Sequence, residues 1–150
     1  MKQTLLVTII LLLTPFILLA QDQDVKADKD AIQQVIQSAY VDGIANHGNI
    51  DDIKEGFHPG FNLLGIRDNT LTKFPIYTWI YYVKKDKAEN PNPPEDPVSV
   101  EYEMIDVTGT AAIAKLKYMK AGKHVYTDYL SLYKFDDGWK IVNKIYFKHE

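Results

Sequence analysis

The sequence predicts an α+β domain, a short helical layer followed by a long antiparallel sheet. Two observations carry that expectation. In the first half, apolar residues recur at spacings of three and four; after residue 97 they alternate with polar ones. Close turn signals then cut the later half into consecutive strands, which pair as a meander. Helices first and strands after is the order of an α+β fold rather than of an alternating α/β one.

Residues 1–20 read as a signal peptide. Lys2 supplies a positive charge, Leu5 to Leu19 is almost wholly apolar, and the small residue Ala20 precedes the polar run Gln21-Asp22-Gln23-Asp24. The apolar stretch holds Pro15 and falls short of the about 20 residues a spanning helix needs. The expectation is export to the periplasm or the medium, with no stable membrane anchor after cleavage. Residues 21–28 are expected to be a flexible lead-in and residues 29–150 one domain, enough for a single core.

Ile32, Val35, Ile36, Ala39, Tyr40, Gly43 and Ile44 share one helical face, and Asp30 with Gln33 forms a capping pair. Asn49 caps a second helix with Ile50, Ile53 and Phe57 aligned, which His58-Pro59-Gly60 ends. Phe61 to Arg67 and Leu71 to Phe74 read as short strands around the turn Asp68-Asn69. Pro75 opens a third helix carrying Ile76, Trp79, Ile80 and Val83, closed by Lys84, Lys85 and Lys87. Residues 86–97, with four prolines, read as a loop. Val98 to Met104 alternates as a strand with one wet face. Turns at Thr108-Gly109, Ala121-Gly122 and Asp136-Asp137-Gly138 then set off strands 110–120, 123–135 and 139–148.

Charge and cysteine narrow the function. The net charge is −3, and −4 without residues 1–20 (16 basic against 20 acidic side chains). That is not the basic stripe of a nucleic-acid surface. The absence of cysteine removes disulfides and thiolate chemistry. No two histidines have ligand spacing on a common element, so neither a metal nor a cofactor is expected.

Three segments resemble the NTF2-like superfamily, and more narrowly its SnoaL-like and putative lumazine-binding branch. They are Ala31-Ile32-Gln33-Gln34-Val35-Ile36 running to Tyr40-Val41-Asp42-Gly43, then Gly56-Phe57-His58-Pro59, then Tyr126-Thr127-Asp128-Tyr129-Leu130-Ser131-Leu132 with Gly138-Trp139-Lys140-Ile141-Val142-Asn143-Lys144. The resemblance implies an NTF2-like cone, in which amino-terminal helices pack on a strongly curved antiparallel sheet around a pocket. It does not choose among enzyme, binder and interaction domain, because this fold hosts all three.

Alternation suggests which side chains would enter that pocket. Leu130 and Leu132 look core-facing, so Tyr126 and Asp128 share their face. On the last strand Trp139, Ile141, Asn143 and Ile145 share one face, and Lys140, Val142, Lys144 and Tyr146 the other. Asp128 and Asn143 are therefore expected to meet, with Tyr102, Tyr40 and Trp79 nearby as ligand contacts. Asp128 is the candidate general base, raised by desolvation, with Tyr40 or Tyr126 as donor to an oxyanion; the plainer reading, which weighs more, is that it orders the sheet by hydrogen bonds. His58 is a second candidate acid or base, or else a helix cap or turn residue.

The reading that follows is an exported binder of a small, largely apolar or aromatic ligand. The alternatives are an isomerase, cyclase or dehydratase using Asp128, and an interaction domain whose pocket Trp79 and Tyr102 fill. An apolar outer sheet face with Tyr129, Tyr133, Tyr146, Val142 and Ile113 suggests a homodimer.

Overall fold

The computed structural model describes residues 24–150. Residues 1–20, read as a signal peptide, and 21–23 of the lead-in lie outside the described residues. Helix α1 has α geometry over residues 24–35, so residues 24–28 are helical rather than a lead-in. It continues with π geometry over Ile36–Ala45. The wider π turn brings Val41 to the buried side beside Ile36, Ala39, Tyr40 and Ile44, which a strict 3.6-residue stripe would not do. At its end His47 takes a left-handed φ of 59°. The Gly48 N–H there donates to the Asp42 carbonyl at 2.8 Å.

Helix α2 (Ile50–Gly56) starts where Asn49 Oδ1 accepts from the Asp51 N–H at 3.0 Å. Its two glycine contacts allow α1 and α2 to approach closely. A Cβ on Gly56 would stand 2.3 Å from Ala39 Cβ, and one on Gly43 would stand 2.6 Å from Ile53 Cγ1. Strand β1 (Phe57–Arg67) follows α2 without a loop and turns into β2 (Thr70–Pro75) through Asp68 and Asn69. Both have positive φ, the geometry whose twist suits a two-residue hairpin. Helix α3 (Ile76–Glu89) runs two turns beyond Val83, so the connection to the sheet is shorter than the expected 86–97 loop. The meander β3 (Ser99–Thr108), β4 (Ala111–Lys120), β5 (Lys123–Phe135) and β6 (Gly138–Lys148) is as the turn signals predict.

Among the described residues the sheet has six strands in the order β2-β1-β6-β5-β4-β3. The expected cone of helices on a strongly curved antiparallel sheet does not form. The sheet is mixed, because β1 lies parallel to β6, and among the described residues it is open, with β2 and β3 at its edges. The physical reason is topological: local turn signals announce only antiparallel neighbours, whereas β1 and β6 are far apart in sequence and meet only in the folded sheet.

The helices cover one sheet face and bury a core that includes Ile32, Ile36, Ile53, Phe61, Leu116, Leu130, Leu132 and Ile141. The Asn46 side chain pins the end of α1 to the start of β3, donating to the Val98 carbonyl at 2.9 Å and accepting its N–H at 2.7 Å. No helix among the described residues is long and apolar enough to cross a membrane.

Candidate functional site

The site begins with a break in alternation on β6. Ser131 of β5 faces Asn143 and Leu132 faces Ile141, leaving Val142 as an extra residue in a bulge. Up to the bulge, Trp139 and Ile141 point inward. Past it the faces exchange, so Lys144 becomes buried while Ile145 is 49% exposed. On β5, Asp128, Leu130 and Leu132 keep their alternation and are all buried. Asp128 sits opposite Tyr146 and Leu130 opposite Lys144, which makes Lys144 and Asp128 diagonal neighbours.

Tyr40 reaches them from the π-helical part of α1. Its hydroxyl donates to Asp128 Oδ2 at 2.7 Å. The Lys144 ammonium donates to the same oxygen at 2.8 Å and to the Tyr40 hydroxyl. Asp128 is wholly buried and Lys144 is 5% exposed. An isolated charge would be costly at this depth, so each requires the other. Burial pulls the Lys144 ammonium below its ordinary pKa, while the Asp128 carboxylate works against that fall. Burial first, and then the Asp128 charge, pushes the Tyr40 hydroxyl well above its usual range, so Tyr40 stays a neutral donor. Asp128 Oδ1 is buried with no hydrogen-bond partner among the described residues.

Above this triad lies a cavity of about 210 Å³, walled by Tyr40, Ile44, Ala45, Leu63, Trp79, Tyr118, Tyr126, Lys144 and Tyr146. The rings form a chain of contacts. Tyr40 meets Trp79 edge-on at 6.1 Å, Tyr118 meets Tyr126 at 5.5 Å, and Tyr126 meets Tyr146 at 5.6 Å. The Lys144 nitrogen lies 4.4 Å from the Tyr40 ring centre and 5.6 Å from that of Tyr146, within cation–π range. An ammonium has three N–H donors. Two are used by Asp128 and Tyr40, which leaves the third for an acceptor in the cavity.

A larger depression, about 820 Å³, opens between α1, α2 and the β5–β6 turn. Both of its cations are already paired: Lys134 with Asp28 at 2.7 Å, which also accepts from Trp139 Nε1 at 3.0 Å, and Lys140 with Asp137 at 3.0 Å. The smaller aromatic cavity is therefore the candidate site.

Residues 27–147 match the family described as putative lumazine-binding. The chain belongs to that family. It is also similar to the aldolase FrzH of a Cladobotryum species, 29% identical over 100 residues that make up 66% of this chain and 75% of that protein. Among solved structures, an NTF2-like protein of unknown function from Shewanella baltica OS155 superposes with a TM-score of 0.64 at 28% identity, over 83% of this chain and 95% of that one. An NTF-2 like protein of unknown function from Silicibacter pomeroyi DSS-3 gives 0.68 at 16% identity, over 83% and 98%. The fold is that of the NTF2-like superfamily.

In this member of the putative lumazine-binding family, the structure brings together Tyr40, Trp79, Tyr126 and Asp128 and leaves out three residues expected with them. The bulge turns Asn143 away from Asp128, and its Nδ2 instead donates to the Asn62 carbonyl of β1 at 2.9 Å. Tyr102 lies on the edge strand β3 and donates to the Gln33 carbonyl at 3.2 Å, with burial pushing its hydroxyl to about 12. His58 stacks on Phe135 at 4.9 Å, and its Nδ1 accepts from the Gly60 N–H at 3.0 Å in a local turn. Tyr146, expected on the outer face, lines the cavity.

The sequence reading missed Lys144 and Tyr118. One signal could have found Lys144: a carboxylate placed on an apolar strand face requires a cation on the neighbouring strand. Among the described residues no group of three or more histidine, aspartate or glutamate side chains could hold a metal ion.

Proposed function

We propose that the aromatic cavity binds a small, flat, largely apolar molecule and holds an acceptor oxygen on it against Lys144. The observation that carries this reading is the buried Lys144–Asp128–Tyr40 triad with one ammonium N–H left for the cavity. A cavity of about 210 Å³ is below the roughly 300–1,000 Å³ of drug-sized sites, so the ligand is of single-ring size. Tyrosine and tryptophan edges supply the stacking surface.

The test is a calorimetric titration with single-ring carbonyl and carboxylate compounds and their acceptor-free analogues. Acceptor-bearing compounds are expected to bind and their analogues not. Equal affinity for both sets would remove Lys144 from the reading.

A second reading, catalysis at a carbonyl group, is favoured by the similarity to the aldolase FrzH. In that reading Asp128 takes the proton and Lys144 with Tyr40 steadies the developing oxyanion. Export rests on the amino-terminal sequence pattern, and mass spectrometry of the mature amino terminus tests it. A homodimer rests on exposed apolar residues such as Tyr133, Ile145 and Phe147, and light scattering in solution tests it.

A further inference from the structure

The nitrogen of Lys144 does more in this geometry than donate a hydrogen bond. It lines the cavity, it is shielded from bulk water by aromatic rings, and it is joined both directly and through the Tyr40 hydroxyl to a carboxylate. That carboxylate holds a spare acceptor. Asp128 spends Oδ2 on both neighbours, while Oδ1 is buried without a partner among the described residues. A buried carboxylate with an unused oxygen is a place to put a proton. A lysine amine beside it becomes a nucleophile once that proton has moved.

We propose that Lys144 captures a small aromatic aldehyde or ketone as an imine, with Asp128 as the proton carrier and Tyr40 as the relay between them. This deepens the ligand-site reading above and rests on it.

The steps balance without an oxidant or reductant. The ammonium passes one proton to Asp128, leaving a neutral amine. The nitrogen adds to the carbonyl carbon while the C=O π pair moves to oxygen. A proton passes from nitrogen to that oxygen, giving a neutral carbinolamine. Protonated Asp128 then gives up its proton, handed on through the Tyr40 hydroxyl, to the carbinolamine hydroxyl. The C–O bond breaks, water leaves, and the nitrogen lone pair forms the C=N bond of a protonated imine. Asp128 ends as the carboxylate and remains the counterion of the new cation. The sum is ammonium plus carbonyl giving iminium plus water.

Burial favours the step that needs the neutral amine, because it lowers the ammonium pKa of Lys144. Tyr40 keeps its own proton across the working range and so hands on a proton only by receiving another. The aromatic walls hold the ring of the ligand and aim its carbonyl at the nitrogen. An aldehyde or ketone is the chemical class that fits, since it needs an amine nucleophile and no leaving group other than water.

The experiment incubates the full chain with benzaldehyde and sodium cyanoborohydride at neutral pH, which reduces any imine to a stable secondary amine. Peptide mapping by mass spectrometry then locates the adduct, and a parallel melting curve reports reversible binding without the reductant. The expected result is one adduct per chain, on Lys144, formed ahead of any on the exposed lysines, and lost in Lys144→Arg. That variant keeps a cation beside Asp128 and cannot form an imine. A raised melting temperature with Lys144 unmodified would overturn the imine while leaving the binding site. No melting shift together with labelling no faster than at Lys85 would overturn both.

Discussion

Removing one member of the Lys144–Asp128 pair is the perturbation whose size the structure sets most directly. Lys144→Met deletes a cation whose side chain is 7% exposed and leaves a wholly buried carboxylate without the ammonium that stood 2.8 Å from it. Breaking a buried pair in this way costs about 3–5 kcal/mol. For a chain of this length that is a fall in Tm of roughly 6–20 °C. Asp128→Leu strands the ammonium and belongs in the same range. Changing both, with Tyr40→Phe so that no buried hydroxyl is orphaned, removes all three polar groups at once. Apolar replacements of buried pairs are commonly neutral or stabilising by about 1–4 kcal/mol. The triple variant is therefore expected to be at least as stable as the wild type. Urea denaturation of the four proteins, followed by tryptophan fluorescence, provides the comparison. A cost below about 1 kcal/mol for Lys144→Met, the size of a surface pair, would show that these charges are not desolvated. The account of the site would then fail.

Three other expectations follow from the same structure. Burial pushes Tyr102 and Tyr118 to about 12 and Tyr40 well above its usual value. Their folded values exceed the unfolded value of about 10, so the stability they contribute is whole below that pH and is lost as pH rises through the folded values. Lys144, held below 10.5, acts oppositely, and its contribution is complete once pH passes the unfolded value. Denaturation midpoints that stay flat from pH ~10 to ~12 would contradict this. Asn46→Ala removes both bonds to Val98; the expected cost is about 1–3 kcal/mol, with faster hydrogen exchange at the Val98 amide. Gly56→Ala should destabilise by about 1–3 kcal/mol through the clash with Ala39, although alanine is the better helix former; a stabilised variant would show that α1 and α2 do not pack this closely.

Much of the fold was legible in local chemistry. Asn49 announces its helix, Asp68-Asn69 and Ala121-Gly122 announce their hairpins, and the inward face of β5 follows from Leu130 and Leu132. What escaped was non-local or irregular. The parallel pairing of β1 with β6 leaves no turn to read. The π stretch in α1 buries Val41 against the helical period. Tyr102 has the alternation of a pocket residue, but its strand lies at the sheet edge. The largest miss in the candidate site lies on β6, where strict alternation carries Asn143 inward and the Val142 bulge substitutes Lys144.

That bulge makes the chemistry of the cavity a matter of reading frame. A strand of the same residues in which Val142 paired regularly, without the bulge, would change no side chain. Yet the downstream segment would present Asn143 and Ile145 to the interior and expel Lys144 and Tyr146. Two relatives could thus share nearly every residue of β6 and differ wholly in whether they offer an amine to a ligand. Whether the strand bulges at this point would then be what switches function within the fold, ahead of substitutions.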